Sequence, residues 1–302
     1  MALRMSLSAH SVLESWTHMV PLTLFIILAA FPYVRAGIST RSGLAAAIPA
    51  WKASSFLLGL VLVWIAWGSP LAAYDHSLLT VHMIKHLLLM TFAPPLILLG
   101  EPMKVFWGMT PLLARRILGR VWGRPLVQRL ARTGTSLVLC WTASALTLIA
   151  WHVPALFALG VRSEIGHTVE QAMFFGTGLL FWWPVIQPWP SVPTWPRWSI
   201  LIYLFLATVP CDILSAFLVF CDRVVYAVYL STPTHFGTSA LQDQQCAGAL
   251  MWTCVTIIYL LAAAIIATRL LSVRSIERNE LMQLDLPATA APHTSQRSAE
   301  VA

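Results

Sequence analysis

Seven apolar runs follow one another along the chain, at about residues 18–36, 53–73, 78–100, 136–159, 166–187, 198–221 and 246–268. Each comes close to the ~20 helical residues needed to cross a hydrocarbon core. Short polar segments separate them, apart from one long basic stretch at 101–135. The pattern predicts an all-α fold, a polytopic membrane protein built as a seven-transmembrane-helix bundle. From Pro111 the long stretch reads ProLeuLeuAlaArgArgIleLeuGlyArgValTrp. Apolar residues and arginines recur there at roughly helical spacing, as in an amphipathic helix lying on a membrane surface; a basic topology loop accounts for the same residues equally well. Residues 1–17 form a polar lead with little positive charge, so the first run fits a retained span better than a cleaved signal. Residues 18–275 make a single transmembrane domain. The remainder, 276–302, is rich in Ala, Thr, Ser and Pro and reads as a disordered tail.

Composition agrees. Of 302 residues, 58% are hydrophobic and 10% charged, against about 25% charged in soluble domains. The net charge of +7 lies in loops between apolar runs, where Lys and Arg set topology and meet lipid headgroups; it does not indicate nucleic acid. Fifteen of the nineteen Lys and Arg fall in segments after the first, third, fifth and seventh runs. By the positive-inside rule the N-terminus is outside and the C-terminus cytoplasmic. The five cysteines show no CxxC spacing. Cys221 and Cys246 flank one outer loop and are either a disulfide or free thiols; Cys140 and Cys254 read as packing. No phosphate loop, dinucleotide fingerprint or nucleophile elbow is present.

On that topology eight of nine histidines lie toward the outside: His10, His18, His76, His82, His86, His152, His167 and His235, with only His293 in the tail. At 1.5 Å rise per residue, His82 and His86 sit roughly 6 and 12 Å below the outer end of their helix, and His152 and Glu170 reach similar depths. His82 and His86, four apart, share one helix face; so do His167 and Glu170, three apart. Met90 extends the His82–His86 stripe by a turn. Ionisable groups inside spans are costly and usually functional. Imidazoles and a carboxylate from three helices at one level suit a transition metal, and a thioether favours Cu(I). The competing reading is a set of polar packing contacts or a proton relay. Lys85 is a further buried charge with Glu170 as its counter-ion. Asp212, after the helix-breaking Pro210, and Asp243 and Gln244 at the mouth of the last run, are weaker polar candidates.

These residues lie in four ordered motifs: 81–102, from Val81 through His82, Lys85, His86, Pro94 and Pro95 to Pro102; TrpHisValPro at 151–154; HisThrValGlu followed by GlyLeuLeuPheTrpTrpProVal within 167–185; and AspGlnGlnCysAlaGlyAlaLeuMetTrp at 243–252. Over about 75–262 the chain resembles the CtaG family of bacterial cytochrome oxidase assembly proteins of the caa-type group. The resemblance implies a seven-span protein of the bacterial inner membrane that serves the respiratory chain by maturing haem–copper oxidases, with copper as cargo. It implies cytochrome c oxidase subunits and periplasmic copper chaperones as partners. It places the family's polar positions at His82, His86, His152, His167, Glu170, Asp243 and Gln244; where it implies a second His after Glu170, this chain has Gln171. The expected function is a copper-binding assembly chaperone, a role that requires no turnover chemistry and so makes the protein a non-enzyme. The alternatives are a haem-binding electron-transfer protein, with His86 and His152 as an axial pair, and a copper or ion transporter.

Overall fold

A computed structural model describes residues 20–38, 48–68, 75, 77–191, 195–231 and 237–284. The polar lead, His10, His18, His76, His235, His293 and the tail beyond 284 lie outside the described residues. Eleven α-helices occupy the described residues, with no strand among them. They are α1 Val20–Ile38, α2 Ala50–Gly68, α3 Leu79–Leu99, α4 Pro102–Met109, α5 Leu112–Trp122, α6 Pro125–Gly134, α7 Leu137–His152, α8 Pro154–Arg162, α9 Glu164–Ile186, α10 Arg197–Phe220 and α11 Ala240–Leu284.

Four of these, Ala50–Gly68, Leu79–Leu99, Arg197–Phe220 and Ala240–Ser272, are long and apolar enough to cross a membrane. α6 and α7, bent by 52° at their junction, make a fifth candidate if taken as one span. Phe205, Ile213, Phe217 and Phe220 on α10 and Leu260 on α11 are exposed. Such a density of outward apolar side chains belongs against lipid. α3 is the exception: 67% of its apolar window is buried inside the protein, against 17–28% for the other three. It is therefore the central helix. Its first half packs on α11, its second half on α2, and its middle on α9.

α3 manages both jobs by changing pitch. Residues Leu88–Phe92 form a π-helical turn in which the Ala93 amide bonds the Leu88 carbonyl. Pro94 and Pro95 follow, and proline has no amide to return to the preceding turn. The freed Met90 carbonyl is taken instead by Trp182 Nε1 of α9 at 3.2 Å. Gly178 of α9 permits that approach, since a Cβ there would lie 2.8 Å from Met90 Cα. At its start α3 is capped by Asp243 of α11, whose Oδ2 and Oδ1 accept from the Leu79 and Thr80 amides at 2.6 and 3.1 Å. Two of the helix's orphan donors are thereby satisfied by a residue 164 positions away.

Several expected boundaries move. The run 136–159 is not one helix: α7 stops at His152, Val153 is extended, and α8 begins at Pro154. A residue preceding proline avoids the α region, which breaks the helix there. Pro210 does the opposite of what was expected, since α10 passes through it unbroken. The 101–135 stretch folds as three short helices, and its amphipathic segment appears as α5. α11 stays helical to Leu284, past the 276 boundary of the expected tail, because no proline or glycine interrupts 269–284. All five cysteines are free thiols, so Cys221 and Cys246 are not bridged.

A second corner fixes the α3–α4 end. Glu101 sits in the left-handed region, with φ of 52°, a conformation uncommon outside glycine. Its carboxylate pairs with Lys52 of α2 and, at 3.5 Å, with Lys104. Burial opposes its ionisation, but Lys52 and then Lys104 outweigh it and hold Glu101 below the usual carboxylate range.

Candidate metal centre

The i, i+3, i+4 spacing of His82, Lys85 and His86 puts all three on the inward face of α3, where they are 1%, 2% and 7% exposed. α9 brings His167 and Glu170 to the same level. Its N-terminus is set by Ser163, whose hydroxyl accepts from the Gly166 amide at 3.2 Å. The sixth member is Asp75, in the segment before α3. Its Oδ1 meets His82 Nδ1 at 2.9 Å, and its Oδ2 meets both Lys85 Nζ at 2.6 Å and His167 Nε2 at 2.9 Å. Lys85 therefore pairs with Asp75, not with Glu170 as the sequence suggested. Asp75 was overlooked in the sequence because a lone acidic residue in a short loop carries no periodic signal; the need of a buried Lys85 for a nearby acid was the clue. Burial opposes ionisation of Asp75, but His82, His167 and Lys85 together hold it well below the usual carboxylate range.

Glu170 is fully buried, and neither of its oxygens accepts a hydrogen bond. Around it stand His82 Nε2 and His86 Nε2, at 3.5 and 3.4 Å from Oε1, and His167 Nδ1 at 3.5 Å from Oε2. The two Nε2 atoms of His82 and His86 face each other at 2.7 Å. Two imidazole nitrogens at that distance repel unless a proton or a cation lies between them. The two Oε1–Nε2 separations are close to the tetrahedral edge of about 3.4 Å around an ion with ~2.1 Å bonds, whereas the 2.7 Å Nε2–Nε2 edge is shorter and would have to open around such an ion. His82, His86 and Glu170 thus converge as one trio of donors, and Asp75, His82 and His167 as another. Asp75 on His82 Nδ1 has the place of the carboxylate that orients a metal-bound imidazole and fixes its tautomer.

The roof is made by 221–231 and α8. Tyr229 donates to the Asp75 carbonyl at 3.1 Å and Tyr226 to the His152 carbonyl at 3.2 Å. Burial pushes both phenols well above their usual range, so both remain donors. Phe157 covers the His82 ring at 4.9 Å between centroids. Gly160 of α8 leaves room for the carboxylate, because a Cβ there would stand 2.7 Å from Glu170 Oε2.

The other sequence candidates divide. His152 is buried at the end of α7, and it joins neither trio. Its Nδ1 donates to the Leu148 carbonyl at 2.7 Å, leaving Nε2 bare and without a partner. With His86 and Met90 it lines a separate cavity below the cluster. Asp243 caps α3. Gln244 holds the roof, accepting from the Val225 amide at 2.7 Å and donating to the Arg223 carbonyl at 3.1 Å. Asp212 leaves one buried oxygen unpaired but joins neither trio. Gln171, where the resemblance implies a histidine, contacts His167 through its amide nitrogen.

An all-helical protein with membrane-length helices around a buried cluster of imidazoles and carboxylates is the class these features define. The model of the cytochrome c oxidase caa3 assembly factor family matches residues 29–272, and the chain belongs to that family. Uncharacterised proteins of Mycobacterium bovis and Mycobacterium tuberculosis are each 27% identical over 238 residues, covering 72% of this chain and 35% of their own length. The chain thus spans about a third of the length of the curated relatives it matches. No solved structure matches it.

Proposed function

We propose that this protein is a non-catalytic assembly factor for a haem–copper cytochrome c oxidase, and that it binds a copper ion through His82, His86, His167 and Glu170. Asp75 serves as the orienting carboxylate of His82. The observation that carries the reading is Glu170: a fully buried carboxylate without a hydrogen bond, faced by three imidazole nitrogens. A buried charge in that state is expensive unless a cation compensates it. Family membership supports an oxidase subunit as the recipient, and periplasmic copper chaperones as the donors.

The arrangement that suits this role is a bundle in the bacterial inner membrane with seven spans, N-terminus outside and C-terminus cytoplasmic. α1, α9 and the broken α7–α8 pair complete the count, and the cluster then lies toward the outer face. The arginines of α5 and α6 rest on the inner lipid surface. Copper fits better than haem because the space between His86 and His152 is about 40 Å³, far too small for a macrocycle.

The test is the metal content of the purified, detergent-solubilised protein after exposure to copper, with a visible spectrum. Near-stoichiometric copper that is lost in His82→Ala/His86→Ala, together with copper-deficient oxidase in cells carrying that variant, is the expected result. No bound copper, or a haem band in its place, would overturn the reading.

A further inference from the structure

α9 carries His167 at one end and Trp183 near the other, roughly 24 Å along its axis. At the Trp183 end, α5 and α6 bury none of their residues. They pack chiefly on each other and on α7. Between them and the end of α9 lies a cleft of about 370 Å³. Its wall includes Trp122 at the end of α5, Gln128 and Arg132 on α6, Trp183, and Ser191 in the segment after α9. The Ser191 Oγ is buried and has no hydrogen-bond partner. Arg132 spends Nε on the Gln128 carbonyl at 3.4 Å, which leaves its two terminal nitrogens for a ligand.

The charge around this cleft is of one sign. Six arginines lie between Arg115 and Arg132, and Glu101 is the one acid from 101 to 135. Glu101 is already taken by Lys52 and Lys104. Among the described residues no carboxylate pairs with any of the six. The face of α6 turned to the cleft carries Gln128, Ala131 and Arg132, at i, i+3 and i+4. Leu126 and Leu130, four apart on the opposite face, are 66% and 63% exposed. Tryptophans crowd this end: Trp107 and Trp189 meet at 5.9 Å between ring centroids, and Trp195 and Trp198 are exposed. Tryptophan is enriched at the level of lipid headgroups.

We propose that the cleft is a headgroup site for an anionic phospholipid, with Arg132 and Ser191 donating to its phosphate and Gln128 beside them. The proposal rests on the bundle's lying in a membrane and not on the copper reading. A phosphodiester with its glycerol is an extended ligand, so donors spread along one cleft suffice. Basic pockets at the cytoplasmic headgroup level bind anionic lipids in this way. The apolar face of Leu126 and Leu130 is left for acyl chains. The bound lipid then completes an interface that protein side chains leave open, and ties α5 and α6 to α9.

The experiment uses the full chain, stripped of lipid in detergent and titrated with phosphatidylglycerol, phosphatidylcholine or inorganic phosphate. Native mass spectrometry reads the lipid retained, and thermal unfolding reads its effect. Phosphatidylglycerol should be retained in preference to phosphatidylcholine, should raise the unfolding temperature, and should resist excess inorganic phosphate. Arg132→Gln should weaken its retention about tenfold, as expected for one charge-assisted hydrogen bond, and Ser191→Ala should weaken it in the same direction. Arg129→Gln removes the same charge from the same helix outside the cleft and should change retention far less. An equal loss in Arg129→Gln would reduce the effect to diffuse charge and overturn the site. Displacement by inorganic phosphate, or no preference over phosphatidylcholine, would also overturn it. All three variants keep the copper cluster, so their copper content tests that proposal separately.

Discussion

At the scale of single residues the cluster is governed by who holds whom. Asp75 holds three partners at once, His82, Lys85 and His167. Asp75→Asn keeps the shape but removes the charge that orients His82, and carboxylates in that position typically contribute 10–100-fold to metal affinity. A loss of that order, measured by competition with a chromophoric chelator, is expected. Gly160→Ala makes a different test. Its Cβ would stand 2.7 Å from Glu170 Oε2, so the carboxylate must move and copper binding should fall although no ligand has changed. Gly176→Ala on α9, where nothing lies within 4 Å, is the matched control and should leave binding intact. The convergence of His82, His86, His167 and Glu170 was legible in the sequence because i, i+4 and i, i+3 spacings state which side chains share a face. Asp75 was not, because its place depends on how the chain reverses before α3. His152 was misplaced for a related reason: spacing predicts depth, but not which way the last residue of a broken helix points.

At the scale of elements, α3 is defined by its neighbours as much as by its own sequence. Its run of apolar residues was plain. Its π turn was not, although Pro94 and Pro95 marked where the helical bonding would be disturbed. The break between α7 and α8 was readable from ValPro at 153–154, and the 19–24-residue apolar pattern hid it. The cap from Asp243 is the tertiary contact that sets the level of His82 and His86. Asp243→Ala strips the buried Leu79 amide and the half-buried Thr80 amide of their acceptor. Unsatisfied buried donors cost about 1–3 kcal/mol each, so a clear drop in the thermal unfolding temperature is expected, with copper affinity falling as α3 loses its register. Asp243→Asn, which keeps one acceptor, should be intermediate.

At the scale of the whole molecule the charge distribution makes two predictions. In the proposed orientation Arg223, exposed in the roof segment, faces outward, and Arg124, exposed between α5 and α6, faces inward. A membrane-impermeant maleimide should label Arg223→Cys in intact cells and Arg124→Cys only after lysis; the reverse pattern would invert the topology. The Glu101 corner should make stability depend on pH. Its folded carboxyl is held below the usual range by Lys52 and Lys104, against burial. Its contribution is therefore present above the unfolded carboxylate value of about 4.3 and is lost as pH falls below it. Unfolding temperature should decline more steeply below that value in the wild type than in Glu101→Gln. The bundle as a class was evident from hydropathy alone. The exact set of spans was less so, because α9 trades apolar residues for His167, Glu170 and Gln171, the residues that make it useful.

The 2.7 Å approach of His82 Nε2 to His86 Nε2 has a further consequence. Those two lone pairs coexist only around a shared proton or a shared metal. In the proposed function, each ion that arrives must expel that proton, and each ion handed on must be replaced by one. Loading and unloading then become an exchange of one cation for another. The acidity of the outer compartment competes directly with copper, and an oxidase that accepts the metal returns the site to its protonated form, ready for the next delivery.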